Sequence, residues 1–337
     1  MALKTRGIIT QVAKETTFNT LATFTSDDVV KTITASLNPK VDMVDRKCLS
    51  CSVVKEAGIP VRYTADGSVE VEIEVQDTST DLIGSILYEA GFGKKELPAT
   101  DTGCLIGLEG DGSTSANKIS KPDSGVDGTA TLYEVTDGDV ERLSLSVRKF
   151  FDSGDAVIDT TGVVISQVSL KFSQADILTA SFSLEGAGFA QKDGLVKPAC
   201  ATTAVLPFVG KNGTFTFYGT SVDVSDLQID IKNTITNVEA LTSEGFSDKL
   251  IVEKELTGSF KCLLTDFSYL TKLKNQTVGE LFTKVDADTH TVGVYAPRLK
   301  ISDVQVTDDS GKLIEVSINF TIEKDTTSGN ILFLGSK

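Results

Sequence analysis

The segment Val69-Glu70-Val71-Glu72-Ile73-Glu74-Val75 alternates strictly between β-branched apolar residues and glutamates. Successive side chains of a β-strand point to opposite faces, so the apolar residues share one face and the carboxylates share the other. The pattern predicts a half-buried strand. One face of its sheet is expected to be wet and acidic, and the other to be buried.

A short helix is predicted directly after this strand. Residues 77–80 have the composition of a turn, and Leu82, Ile83, Ile86 and Leu87 follow at helical spacing. A C-cap is expected at residue 91, because glycine readily adopts the left-handed conformation that ends many helices. The unit is therefore a strand that leads into a short amphipathic helix.

The same order of elements recurs in the second half of the chain. Residues 255–264 form another strand pattern, and its turn matches the first when Asp77 is aligned with Asp266, at an offset of 189 residues. Three apolar residues at helical spacing come next, namely Phe267, Leu270 and Leu273. The chain is thus predicted to contain one structural unit twice.

Each half also carries the pattern of a long β-hairpin. In the first half the two β-rich runs are residues 163–172 and 177–184, and in the second half they are residues 299–306 and 313–322. Both pairs of runs flank a short polar turn. These hairpins extend the repeat beyond the helix.

The hairpins align at a different offset from the turns. Residues 165–168 (ISQV) match residues 301–304 (ISDV) at an offset of 136, and residues 182–185 (FSLE) are aligned with residues 320–323 (FTIE). The two offsets differ by 53 residues, so the first copy must carry an insertion. The best candidate is the segment 93–127, which is rich in Gly, Ser, Asp and Lys.

The insertion is predicted to be a long surface loop that makes a contact or frays, since long loops in compact domains are commonly functional or mobile. The two copies are expected to join near residues 191–206. The predicted fold class is therefore mainly β, with two tandem β-sandwich or partial-barrel domains, each with a short helix and a long hairpin. Their predicted bounds are residues 1–200 and 201–337.

Charge argues against nucleic-acid binding of the usual kind. The chain has a formal net charge of -15, with 47 acidic residues against 32 Lys and Arg. Such a surface repels phosphates at long range. Repulsion would suit a surface past which a polyanion must slide without being held.

Residues 1–14 lack the apolar core of a signal peptide, and no apolar run in the chain is long enough to cross a membrane. We therefore expect synthesis in a cytoplasm and no membrane partner. The five cysteines are sparse and odd in number, which predicts reduced thiols. Whether any of them cross-links subunits is left open.

No arrangement of residues typical of a catalytic or metal site is present. His290 is the only histidine, which excludes His-based triads and two-His metal sites within one chain. Cys48 and Cys51 have the spacing of half a zinc site, but no second pair follows. The three glutamates of the opening segment and the acidic loop around Glu109 and Asp111 are the remaining candidates for paired-carboxylate chemistry. We expect no enzyme activity, no metal and no cofactor.

The beginning of the chain, Lys14-Glu15-Thr16-Thr17-Phe18-Asn19-Thr20, resembles the start of tail tube proteins of long-tailed bacteriophages. In that family a Glu, an aromatic residue, then Gly and Thr commonly occur, and here Asn19 stands where Gly is usual. The later elements also resemble that family in their order along the chain. They are the acidic strand, the helix ending in AGFG at residues 90–93, the FSLEG hairpin strand at 182–186 and the strand at 315–323.

This resemblance implies a β-sandwich or partial barrel whose long hairpins join those of neighbouring subunits in a ring. The family's rings are generally sixfold, so a duplicated chain implies three chains per ring. Rings would stack head to tail into a tube that conducts DNA without binding it specifically. The implied partners are further copies of the chain and the tape measure, terminator and baseplate or tip proteins of a virion.

The hairpin faces are the candidates for the lumen or for contacts between subunits. In the first half they carry Ser166, Ser169, Lys171, Thr179, Ser181 and Ser183. Their counterparts in the second half are Ser302, Gln305, Glu315, Ser317 and Asn319. Which face points inward is left open.

Two alternatives remain at this stage. The chain could be the tube of a contractile injection machine, or another structural component such as a tail terminator or baseplate protein. It could also be a β-sandwich module that binds or cleaves carbohydrate. The absence of Trp and the low count of 6 Tyr argue against the carbohydrate module, which normally needs aromatic platforms.

Overall fold

The computed structural model describes residues 8–45, 58–76, 81–96, 105–106, 119–120, 131–135, 143–151, 156–199, 207–211, 213–240, 246–264, 267–287, 290–307, 314–326 and 331–336. The strands of the first half are β1 (Ile9–Lys14), β2 (Val29–Val30), β3 (Thr34–Val44), β4 (Ile59–Glu72), β5 (Gly93–Glu96), β6 (Leu105–Ile106), β7 (Ile119–Ser120), β8 (Thr131–Val135), β9 (Leu145–Phe151), β10 (Ala156–Ser173), β11 (Thr179–Gly186) and β12 (Gly188–Lys192).

The strands of the second half are β13 (Gly213–Phe217), β14 (Thr220–Ser221), β15 (Val224–Glu239), β16 (Phe246–Leu263), β17 (Gly279–Ala287), β18 (His290–Thr307), β19 (Glu315–Ile322) and β20 (Leu332–Ser336). Two short helices follow β4 and β16, namely α1 (Ser85–Phe92) and α2 (Ser268–Lys274). A single turn of 3-10 helix, Ser26–Asp28, precedes β2. The prediction of a mainly β protein with a short helix in each half is confirmed.

The central feature is one antiparallel run of strands in the order β3-β4-β11-β10-β15-β16-β19-β18. The first half of the chain contributes the first four strands, and the second half contributes the last four. Strands β10 and β15 join the halves edge to edge. Across the described strands the run is open, because β3 pairs only with β4, and residues 300–307 of β18 pair only with β19.

Strands β10 and β18 are long enough to belong to two layers. The N-terminal half of β10 pairs with β9 and β12, and β1 is added beyond β9. The N-terminal half of β18 likewise pairs with β17 and β20, and β13 is added beyond β17. The same strand pairing therefore occurs once in each half of the chain.

Irregularities in the ladders fall at matching places and define equivalent residues. The β10–β11 register shifts at Ser166, and the β18–β19 register shifts at Ser302. The β3–β4 and β15–β16 registers shift after Asp42 and after Thr234. Bulges bend a strand and break its ladder at a fixed point, so their recurrence sets the alignment of the two halves.

This alignment corrects one sequence match. Leu184 lies opposite Ile165 and Phe320 lies opposite Ile301, so Leu184 is the equivalent of Phe320. Aligning residues 182–185 with 320–323 is therefore wrong by two residues. A shift of two preserves which face each side chain occupies, which is why letter matching did not reveal it.

Two equivalent glycines support the corrected alignment. Gly67 lies opposite Leu184, and Gly258 lies opposite Phe320. A Cβ atom at Gly67 would collide with the carbonyl oxygen of Ser36, and one at Gly258 would collide with the Phe320 ring. Each glycine thus permits a close approach in the middle of its hairpin. The strands containing them are offset by 191 residues, so the first half is longer by 55 residues rather than 53.

The helix predictions need correction at their ends. Helix α1 begins at Ser85, after the apolar residues Leu82 and Ile83, and its C-cap is Gly93 with φ of 113°. Gly91 instead lies inside the helix, where an added Cβ would strike Val168 on β10. The expected turn residues Asp77 and Asp266 lie outside the described residues.

The opening segment is only partly as predicted. Its four apolar side chains are fully buried, as expected, but β4 ends at Glu72, and Val75 forms an isolated bridge with Leu82. The wet-face prediction is wrong for Glu74, which is 1% exposed and accepts a 2.6 Å hydrogen bond from Lys31 Nζ. Burial raises the pKa of Glu74 despite that ammonium group.

The predicted loop at residues 93–127 is also partly wrong. Gly93–Glu96 is strand β5, which pairs with β8, and β8 pairs in turn with the C-terminal strand β20. Strands β6 and β7 pair with each other within the same segment. Strands β5 and β8 of the first copy therefore pair, directly or through each other, with the C-terminal strand β20.

One hydrophobic core extends through both halves. Val69, Phe182, Phe260 and Phe320 belong to the same cluster of packed, buried side chains. The Tyr88 ring of α1 packs edge-on against Phe182, with ring centroids 5.0 Å apart. The sheet and core continue across the β10–β15 junction, and the division into domains of residues 1–200 and 201–337 stays a prediction.

Candidate functional site

The sheet face opposite the core is polar along the whole run from β3 to β18. In β10, Val168 and Leu170 are fully buried, while Ser169 and Lys171 point to the other side. In β11, Ala180 and Phe182 are buried in the same alternating fashion. Because neighbouring strands are in register, the polar residues of successive strands form one continuous surface, here called the polar face.

Most of the candidate hairpin residues lie on this polar face. They are Ser169, Lys171, Thr179, Ser181, Ser183, Gln305, Glu315, Ser317 and Asn319. The other two, Ser166 and Ser302, are the bulge residues and interrupt the alternation. The structure therefore brings the candidates of each hairpin together on one side of the sheet, and their role in a lumen stays a prediction.

The polar face also includes residues outside the two hairpins. Glu70 and Glu72 of β4 lie opposite Ser181 and Thr179 of β11. Further members on β3 and β15 are Thr34, Ser36, Asn38, Lys40, Asp226, Gln228, Asp230 and Lys232. The strict alternation of polar and apolar residues at 226–232 (DLQIDIK) is the sequence signal for β15.

Carboxylates outnumber lysines on the polar face. The acidic members are Asp66, Glu70, Glu72, Glu185, Asp226, Asp230, Glu255, Asp303 and Glu315. The basic members are Lys40, Lys171, Lys232, Lys261 and Lys300. The face therefore carries net negative charge at neutral pH and repels phosphates.

Several of these carboxylates are held by neighbouring polar groups. Asp230 accepts a hydrogen bond from Ser169 and a 2.9 Å hydrogen bond from Gln228 Nε2. Asp303, on the other hairpin, accepts a 2.8 Å hydrogen bond from Gln305 Nε2. Such hydrogen bonds hold these carboxylates against neighbouring side chains of the sheet.

Side chains of β15 are buried where this strand pairs with or extends beyond β10. Ile231 and Asn233 on β15 are 0% and 3% exposed, and Asn233 Nδ2 donates a 2.9 Å hydrogen bond to the Ile165 carbonyl. Lys254, opposite Asn233 on β16, donates a 2.7 Å hydrogen bond to the Phe92 carbonyl at the end of α1. Burial lowers the pKa of Lys254 to about 8.

The two free edges of the run match the two sides of this junction. Strand β3 is the equivalent of β15, and β18 is the equivalent of β10. Val306 is 43% exposed where its equivalent Leu170 is fully buried, and Val41 is 40% exposed where its equivalent Asn233 is 3% exposed. The two free edges are thus formed by the equivalents of the two strands that pair at the junction. Their apolar side chains are exposed, whereas the equivalent side chains at the junction are buried.

The described residues contain no group of His, Cys, Asp and Glu side chains placed to hold a metal ion. His290 begins β18 opposite Ala287. Cys262 is a buried free thiol, and burial raises its pKa to about 11. The remaining cysteines, including Cys48 and Cys51, lie outside the part of the chain that the structure describes.

The N-terminal motif has a clear structural role. Glu15 is 6% exposed and accepts hydrogen bonds from Asn19 N at 2.9 Å, Ser146 Oγ at 2.8 Å and Gly162 N at 2.8 Å. Asn19 has φ of 58°, a left-handed conformation that Gly adopts easily and Asn tolerates better than most residues. The replacement of Gly by Asn in the motif is therefore compatible with the same turn.

Within the described ranges, neither helix has the length and apolar character needed to cross a membrane. A comparison with curated proteins finds no match. The family model described as phage tail tube protein matches residues 6–322, which is nearly the whole chain. Together with the β-rich fold and the buried N-terminal motif, this match shows that the chain belongs to the phage tail tube protein family.

Proposed function

We propose that the chain is the repeating subunit of a phage tail tube and that three copies close each ring. The observation that carries this proposal is the recurrence of one junction. Strands β10 and β15 join two equivalent units inside the chain, and the open ends of the run, β18 and β3, are the equivalents of those two strands. Pairing β18 of one copy with β3 of the next would repeat the junction.

This contact is heterologous, since it joins two different surfaces, and such contacts close into rings when the rotation permits. Each chain supplies two units, so three chains give the six units that the family resemblance implies. Ring closure would also remove two exposed strand edges, which otherwise favour uncontrolled aggregation. The family's structural role, rather than an enzymatic one, agrees with this function.

We assign the polar face to the wall of the channel that conducts DNA during genome ejection. Its net negative charge would keep phosphates from binding, and several of its carboxylates are held by neighbouring polar side chains. The opposite face carries the core, both helices and the second layer of strands, which suits the outer wall. The candidate hairpin residues Ser169, Lys171, Thr179, Ser181, Ser183, Gln305, Glu315, Ser317 and Asn319 would then face the DNA.

The proposed partners follow from this role. Rings would stack head to tail into a tube around a tape measure protein, with a terminator at one end and a baseplate or tip at the other. The subunit would be made in the host cytoplasm and reside in the virion.

Electron microscopy of the purified protein at increasing concentration tests the proposal. We expect stacked rings or tubes with a central channel, and threefold symmetry in class averages of single rings. A protein that stays monomeric at high concentration, and is absent from the tails of the particles that encode it, would contradict the proposal.

A further inference from the structure

We propose that the β3–β4 hairpin of one copy joins β18 of its neighbour in the register of the β10–β15 junction, and that Val41 and Met43 then cover the C-terminal part of the neighbour's α2. The partner is a second copy of this chain. This inference rests on the proposed tube function and specifies its subunit contact.

The register follows from the equivalent residues. At the internal junction Gln167 lies opposite Lys232, Val168 opposite Ile231 and Leu170 opposite Ile229. Transferred to the edges, these pairs become Asp303 opposite Lys40, Val304 opposite Pro39 and Val306 opposite Leu37. The transferred register therefore places opposite charges across the contact at position 303 and apolar side chains across it at positions 304 and 306.

Pro39 limits the proposed ladder at one position. Proline has no N–H to donate and within sheets is largely confined to edge strands, and the proposed contact would turn β3 from an edge strand into an interior one. The chain holds β3 at such an edge, since its only ladder is with β4 in the described structure. The new ladder would contain at most one hydrogen bond fewer than the internal one.

Burial at the internal junction identifies which exposed residues should become covered. Ile235 of β15 is half-buried, and its equivalent Met43 is 58% exposed. Val41 is exposed, while its equivalent Asn233 is buried against the end of α1. Placing a hairpin on the neighbour in the same way would bring Val41 and Met43 to the C-terminal end of α2, where the apolar residue Leu273 is half-buried.

The chemistry of the two helix ends differs in a way that fits the two hairpins. Helix α1 has no basic residue in its last turn, and Lys254 supplies a cation to its Phe92 carbonyl. Helix α2 has Lys272 and Lys274 in its own last turn. Cations are favourable at a helix C-terminus. Helix α1 receives one from the β15–β16 hairpin, whereas α2 already has its own and needs none from the hairpin that covers it. Tyr63, the equivalent of Lys254, is accordingly uncharged.

The chain provides a matched control. Val61 is 51% exposed on the same hairpin as Val41, but it is the equivalent of the bulge residue Val252. Val252 remains 59% exposed even though its hairpin has its partner within the chain. Val61 is therefore expected to stay exposed in the ring, whereas Val41 becomes buried.

The test compares Val41→Asp with Val61→Asp in the full-length protein, by size-exclusion chromatography and negative-stain microscopy. We expect Val41→Asp to abolish rings and Val61→Asp to assemble like the wild type. If both variants assemble, or neither does, the inference is wrong. A wild type that forms no ring would instead overturn the proposed function, and the inference with it.

Cysteine labelling gives a second measurement that does not depend on disrupting the contact. Val41→Cys and Val61→Cys are treated with a maleimide before and after assembly, and the labelled peptides are quantified by mass spectrometry. We expect assembly to protect the residue at position 41 and to leave position 61 reactive. Equal labelling of both positions in assembled rings would overturn the inference.

Discussion

The hairpins β3–β4 and β15–β16 have the same ladder, the same bulge and the same close-approach glycine, yet their surroundings differ. The outer half of β15–β16 is covered by the first half of the chain, through contacts of Asn233 and Lys254. The outer half of β3–β4 exposes Val41, Met43, Val44, Ile59 and Val61. The comparison indicates that the outer half of β3–β4 lacks a covering surface. A second copy of the chain can supply a surface like the one that covers β15–β16.

The largest expected effect separates the buried strand from its exposed equivalent. Leu170→Ala should lower the free energy of unfolding of the unassembled chain by about 2–5 kcal/mol, because it leaves a cavity in the packed core. Val306→Ala, at the equivalent edge position, should change it by about 0.5 kcal/mol or less. Denaturant unfolding of both variants measures the difference.

Although Val306→Ala should barely change the stability of the unassembled chain, it should weaken ring assembly. Because Val306 is proposed to become buried against the neighbour, Val306→Ala should raise the concentration needed to form rings. Equal losses of unfolding free energy in Leu170→Ala and Val306→Ala would show that the β18 edge is already covered within one chain.

The next effect concerns Lys254, whose place in β3–β4 is taken by Tyr63. The pKa of Lys254 in the folded chain is about 8, below its ordinary value of 10.5, so the unfolded chain binds one proton more between these pH values. The stability of the wild type should therefore rise with pH in this window relative to Lys254→Met, by an amount on the order of 1–3 kcal/mol.

Denaturant unfolding at pH 7.5 and pH 10 measures this difference. Thr236→Met, at an exposed uncharged position of the same hairpin, serves as the control, and its difference from the wild type should not change with pH. Parallel pH profiles for the wild type and Lys254→Met would contradict the burial of a charged Lys254 at the end of α1.

The smallest effect is the charge pair proposed across the subunit contact. Lys40→Glu and Asp303→Lys should each raise the concentration needed for assembly, by an amount equivalent to about 1 kcal/mol or less, since exposed ion pairs contribute little. The double variant should recover part of the loss, because it restores opposite charges. Single variants that assemble like the wild type, with no coupling in the double variant, would place Lys40 and Asp303 apart.

Local alternation made much of the sheet predictable from sequence. The apolar residues of the segment 69–75 and of both hairpins follow a period of two, and the structure buries most of them, although Val306 at the edge of β18 is 43% exposed. The partners of those strands were harder to predict, because the β10–β15 and β8–β20 pairings join residues far apart in the chain. The sequence repeat indicated two units, but no local pattern indicated that β10 and β15 join them edge to edge.

Residues that break a local rule were missed for identifiable reasons. Glu74 continues the acidic side of its segment, but it is buried because Lys31, distant in sequence, reaches it. Gly91 has the composition of a cap, yet it lies inside α1 because Val168 leaves no room for a side chain. Long-range packing decided both positions. For the candidate site, alternation in sequence grouped the hairpin residues by side, and the pairing of strands joined them into one polar face. Their role in a lumen stays a prediction.

A three-dimensional reconstruction of assembled tubes tests the central claim most directly. The account predicts three chains per ring, with β18 of each chain paired to β3 of the next and Asp303 opposite Lys40. It also predicts the polar face on the channel side. A ring in which β3 or residues 300–307 of β18 remain unpaired, or in which the polar face points outward, would contradict the account.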